Sequence, residues 1–116
     1  MEYLLLIYRN EAEFAAWPKA KWDEMIAGMA AFSKDIQASG HYRGGDPLKP
    51  AQTATTVRLR GGKALKTAGP FAETREQLTG YYKIAAASLD EATEIAARMP
   101  VAPYAAIEVR EVLVLK

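Results

Sequence analysis

Cysteine is absent from the 116 residues, which excludes disulfides, a thiolate nucleophile and every sulfur-based metal site. His41 is the single histidine, and no spacing of the acids resembles a calcium loop or a two-histidine helix face. Neither a metal nor another cofactor is expected. Net charge is also nearly missing, since 15 basic and 14 acidic residues leave +1. The strong attraction of a very basic chain to nucleic acid or to an anionic membrane is therefore excluded. Long apolar runs are lacking as well. The run Tyr3-Leu-Leu-Leu-Ile-Tyr8 is too short to span a bilayer. With Glu2 before it, no basic stretch and no small-residue cleavage site, it does not read as a secretory signal, and a cytoplasmic protein is expected.

Nucleophilic chemistry finds no support either. No Gly-x-Ser-x-Gly elbow is present, and Ser33, Ser39 and Ser88 are accounted for by helix surfaces and helix ends. The pairs Gly44-Gly45 and Gly61-Gly62 precede no helix that would hold a phosphate, so they read as turns. Arg58, Arg60, Lys63 and Lys66 make residues 55–67 basic, but without interleaved aromatics this is a solvated hairpin rather than a nucleic-acid surface.

What is present describes one domain over residues 1–116, half of it apolar. Residues 2–8 are apolar at odd and even positions alike, as in a central strand covered on both faces. Pro18 opens a helix whose Trp22, Met25, Ile26, Met29, Phe32 and Ile36 repeat at three and four, with Gly40 just past its end. Residues 41–50 begin extended and break into a Gly/Pro loop. Residues 55–60 and 63–67 form a hairpin about Gly61-Gly62, which suits a type I′ turn. Residues 79–86 make a strand with Tyr82 and Ile84 on one face and Tyr81 and Lys83 on the other. Ser88 and Glu91 form a capping box, opening a helix that buries Leu89, Ala92, Ile95, Ala96 and Met99 before Pro100. Residues 106–115 are a final strand.

The order strand, helix, strand, hairpin, strand, helix, strand predicts an α+β fold, the ferredoxin-like split β-α-β sandwich. Two helices would cover one face of an antiparallel sheet, with an extra hairpin. Half of the first strand's apolar residues would then lie on the open face, and a patch of that kind predicts a homodimer packed sheet against sheet. The apolar residues 112–115 would reach towards the partner.

Two places invite a site. His41 begins an extended segment with Asp46 five residues on, and a histidine titrates near neutrality, so the two are acid–base candidates. The stretch from Ala68 to Lys83, AGPFAETREQLTGYYK, spends about ten residues approaching one strand. Gly69-Pro70 forces a corner, Phe71 is expected to plug the sheet end, and residues 74–77 to form one helical turn. Glu73 and Tyr81 would then face a common hollow. The bland alternative is a capping loop with Glu73 solvated.

The run Gly69-Pro-Phe-Ala-Glu-Thr-Arg-Glu-Gln-Leu-Thr-Gly-Tyr-Tyr82, with Leu89-Asp-Glu-Ala92 and Ala96-Ala-Arg-Met-Pro100, resembles the YCII-related family in its DGPF-domain branch. Tyr3-Leu-Leu-Leu-Ile-Tyr8, Thr53-Ala-Thr-Thr-Val57 and Ile107-Glu-Val-Arg110 fit the same pattern. The resemblance implies a dimeric ferredoxin-like α+β barrel. In the wider group it implies chemistry on small organic acids by a histidine and an aspartate, and in this branch frequent encoding beside extracytoplasmic-function sigma factors. The motif aspartate is Ala68 here, so its role does not carry over. Gly69, Pro70, Phe71, Glu73 and Tyr81 do match, and Gly69, Pro70, Phe71 and Tyr81 are the ligand-binding candidates. The expectation is a protein that binds a small organic molecule at the sheet end without activity. The alternatives are an acid–base enzyme of isomerase, lyase or hydrolase type using His41, Asp46 or Glu73, a regulatory accessory to sigma-factor control, and a purely structural subunit.

Overall fold

A computed structural model describes residues 1–115. The first strand, β1 (Glu2–Arg9), is followed by a short helix α1 (Glu11–Ala15) and the long helix α2 (Lys19–Ala38). Then come β2 (Tyr42–Pro47), the hairpin β3 (Thr55–Arg60) and β4 (Lys63–Ala68), β5 (Gln77–Ala85), α3 (Leu89–Ala97) and β6 (Ala106–Glu111). Short 3-10 turns cover Ala51–Thr53 and Ala102–Tyr104.

Four strands form one sheet in the order β2-β5-β1-β6, and every neighbouring pair is antiparallel. This is the ferredoxin-like arrangement: each β-α-β crossover is split by a strand inserted between its two ends. Along β1 the odd residues Tyr3, Leu5 and Ile7 are buried beneath the helices, meeting Phe32 and Ile36 of α2 and Ala92, Ile95 and Ala96 of α3. The even residues Leu4, Leu6 and Tyr8 lie on the opposite face and are only half-buried. That side is open, with Lys83 of β5 bridged to Glu2 at 3.4 Å and Tyr8 donating to Glu108 of β6 at 3.4 Å.

The helix boundaries follow the sequence. Gly40, at φ 81°, takes the left-handed position after α2, so its N–H reaches Gln37 O and that of His41 reaches Ile36 O. Those two bonds make a Schellman cap, which satisfies carbonyls the helix leaves unpaired. Ser88 caps α3 by accepting from the Glu91 amide at 3.2 Å, and Gly61 and Gly62 both have positive φ at the hairpin turn.

Several expectations are corrected. Asn10 caps a further short helix, α1, between β1 and α2. Pro18 is the N-cap of α2 rather than its first residue. Residues 74–77 form no helical turn, because β5 already begins at Gln77. Leu89 is exposed: in the first turn of α3 it points away from the stripe formed by Ala92, Ile95 and Ala96. The last strand stops at Glu111, and Leu113, Val114 and Leu115 continue exposed beyond the ladder.

Among the described residues, hairpin β3–β4 pairs only with itself. It contributes to a flat molecule, 48 × 47 × 18 Å, whose radius of gyration of 16.2 Å exceeds the value of about 13 Å typical of a compact chain of this size.

Candidate functional site

Helix α2 crosses the sheet without closing fully onto its β2–β5 edge, leaving a cleft of about 360 Å³. Positions three and four apart on a helix share a face, so Trp22, Met25, Ile26, Met29 and Ser33 form one wall. Ile7 and Arg9 of β1, Tyr42 and Gly45 of β2, and Thr79 and Tyr82 of β5 form the other. Val101 also lines it.

Gly45 is required here by close packing. A Cβ on it would lie 2.7 Å from Tyr81 O and 2.9 Å from Tyr82 Cδ1, so β2 approaches β5 only because that atom is missing. The Tyr82 ring uses the space. It meets Phe32 and Tyr42 edge-on, with centroids 5.6 and 6.2 Å away, and its hydroxyl lies 2.5 Å from that of Ser33. Thr79, buried, donates to Ile7 O at 3.3 Å.

At the other end of the cleft an aromatic cluster forms where α1 turns into α2. Phe14 stacks on Trp17 at 4.3 Å, and Trp22 Nε1 donates to Phe14 O at 3.0 Å. The Arg9 guanidinium lies over Phe14 and Trp22, at 4.5 and 5.1 Å from their ring centres. Burial pushes its pKa down from the usual arginine value, and Glu11 partly offsets this.

The sequence candidates are dispersed. Asp46 and Tyr81 come together: they face each other in register, and the Tyr81 hydroxyl donates to Asp46 Oδ2 at 2.8 Å at the exposed rim of the cleft. That bond, reinforced by the carboxylate's charge, raises the Tyr81 pKa above the ordinary tyrosine value. His41 does not pair with Asp46. Its Nδ1 contacts Ser39 Oγ at 2.7 Å and its Nε2 lies 3.3 Å from Glu91 Oε1. Glu91 itself accepts from the Ala87 amide at 3.1 Å, so His41 stands where the end of α2 meets the start of α3, away from the cleft.

Gly69, Pro70, Phe71 and Glu73 do not line the cleft. Phe71 is 78 % exposed, so it does not plug the sheet end: its loop leaves the free hairpin and reaches the sheet only at Gln77. Gly69, at φ 96°, instead closes the base of the hairpin, its amide donating to Ala54 O at 2.6 Å.

Sequence reasoning missed Arg9, Ser33, Tyr82 and Gly45 as cleft residues. Two signals were available: Ser33 interrupts the apolar stripe of α2, and a glycine inside a strand marks close backbone approach. No group of three metal-ligating side chains occurs among the described residues, and no helix there is long and apolar enough to cross a membrane.

Comparison with known proteins gives a family and no activity. The family described as YCII-related domain matches residues 1–116. An uncharacterized protein of Rhizobium meliloti (strain 1021) is 36% identical over 96 residues, covering 83% of this chain and 77% of that protein.

Proposed function

The chain belongs to the YCII-related family, and on that premise we propose that it binds a small organic molecule in the cleft between α2 and the sheet, as a homodimer and without catalysis of its own. The observation that carries this is the lining. Three tyrosines, a tryptophan and two methionines surround a space at the small end of the range for ligand sites, with a few convergent polar groups among them. Inside it the Ser33 and Tyr82 hydroxyls are committed to each other, and the one carboxylate, Asp46, sits at the rim with Tyr81. An acid–base pair facing the interior is what a catalytic reading would want, and His41 points elsewhere.

The homodimer is supported by the open sheet face, where Leu4, Leu6 and Tyr8 remain half-exposed, and by the exposed Leu113, Val114 and Leu115. Apolar surface of this kind is characteristic of subunit contacts. Assignment to the DGPF branch is supported by the run from Gly69 to Tyr82, and a cytoplasmic location by the character of residues 2–8, which form a buried strand rather than a secretory signal.

Isothermal titration with 2-naphthamide, a neutral flat probe, tests the binding reading. Saturable one-to-one binding is expected, and Ala30→Trp, a substitution at an exposed cleft position, should abolish it. Binding that survives Ala30→Trp unchanged would place the ligand elsewhere.

A further inference from the structure

A guanidinium taken partly out of water needs acceptors for its N–H groups, because burying a charge without partners is costly. Arg9 is half-buried at the cleft wall, yet it makes no ion pair and no side-chain hydrogen bond among the described residues. The rings of Phe14 and Trp22 lie against it and engage the face of the guanidinium. Stacking of this kind leaves the in-plane fork of donors unused, and that fork matches a carboxylate bidentately.

The neighbouring acids are committed elsewhere. Glu11, whose charge acts on Arg9, accepts from the Ala51 amide at 3.1 Å. Asp46, at the exposed rim, accepts from Tyr81. The cleft therefore holds one half-buried cation with open donors, set against a wall of Trp22, Met25 and Met29.

We infer that the cleft takes a small flat apolar molecule bearing one carboxylate, its carboxylate received by Arg9 and its body lying along Trp22, Met25 and Met29. This specificity rests on the binding reading above. Asp46 does not reverse it: a solvated charge at the rim is screened, whereas one at the cleft wall is less so.

The test compares isosteres on the full chain by isothermal titration: 2-naphthoate, 2-naphthamide and 2-naphthylmethylamine. Charge-assisted hydrogen bonds predict that the acid binds about tenfold or more tighter than the amide. Arg9→Met should erase that preference, bringing the acid's affinity down to that of the amide for the same variant. Arg9→Gln, which retains a planar head group, is the second variant and should lose the preference in the same way. Equal affinity of acid and amide in the unaltered protein overturns the carboxylate inference and leaves the binding reading standing. So does tighter binding of the amine. A preference that persists in both variants overturns the role of Arg9. Absence of saturation by all three probes removes the inference together with the binding reading.

Discussion

The hydroxyls of Ser33 and Tyr82 meet at 2.5 Å, the one side-chain hydrogen bond joining α2 to the sheet among the described residues. It fixes the depth of the cleft, since Tyr82 comes from β5 and Ser33 from the middle of the helix above it. Tyr82→Phe should lower the unfolding free energy by about 1 kcal/mol, the usual net worth of such a bond. Urea unfolding checks this: the midpoint should fall with the slope unchanged, because no more surface is exposed on unfolding.

Gly45→Ala should be more damaging. The new methyl would meet the Tyr81 carbonyl at 2.7 Å, and a backbone atom within a paired strand cannot step aside as a side-chain end would. A loss of about 1–3 kcal/mol is expected from overpacking. Gly44→Ala meets nothing within 4 Å, but its φ of 150° imposes backbone strain instead. Amide exchange separates the two: Gly45→Ala should loosen the β2–β5 pairing near Tyr82, and an unchanged exchange pattern there would refute the packing argument.

Tyr81 titrates above its ordinary value because its proton is held by Asp46. The sign follows from linkage: a raised folded value means the contribution is complete below the unfolded tyrosine pKa and is lost as pH rises through the folded one. Alkaline titration followed by tyrosinate absorbance should therefore show two late tyrosines, Tyr81 and Tyr3, the latter held up by burial with the Glu111 charge adding to it. In Asp46→Asn one of those two steps should move to lower pH, and a curve that stays in place would show that Asp46 is not the cause.

The open sheet face should carry the dimer contact. Leu6→Glu places a charge beside Glu108, its cross-strand neighbour, on a surface expected to be desolvated. Light scattering after gel filtration should then give a particle of 12.7 kDa, against twice that mass for the unaltered protein. A dimer that survives the substitution would move the contact off this face.

The architecture was legible because it is written in local pattern. The double-sided apolar run of β1, the three-and-four repeat of α2, the glycine after it and the Ser88 box each act over a few residues. The site was less so, because it is made by neighbours distant in sequence: Arg9 meets Trp22, and Ser33 meets Tyr82. The pairing of His41 with Asp46 failed for a geometric reason. An extended chain rises roughly 3.3 Å per residue, so five residues separate them by on the order of 15 Å. Asp46 found its partner across the ladder instead, in Tyr81. The long approach to β5 attracted attention because it is unusual, but it proves to be the return path from a free hairpin.

The position of β1 has a further consequence, for assembly in time. It is the first strand in the chain, yet both of its neighbours, β5 and β6, lie in the last third, with Tyr3 paired to Ile84 and to Glu111. At roughly 5–20 residues per second of synthesis, β1 emerges from the ribosome several seconds before either partner exists. Only α1, α2 and the hairpin can organise from local contacts in that interval. The sheet then closes in one late step around an apolar strand that has waited unpaired, and that waiting period is when the chain is most open to aggregation.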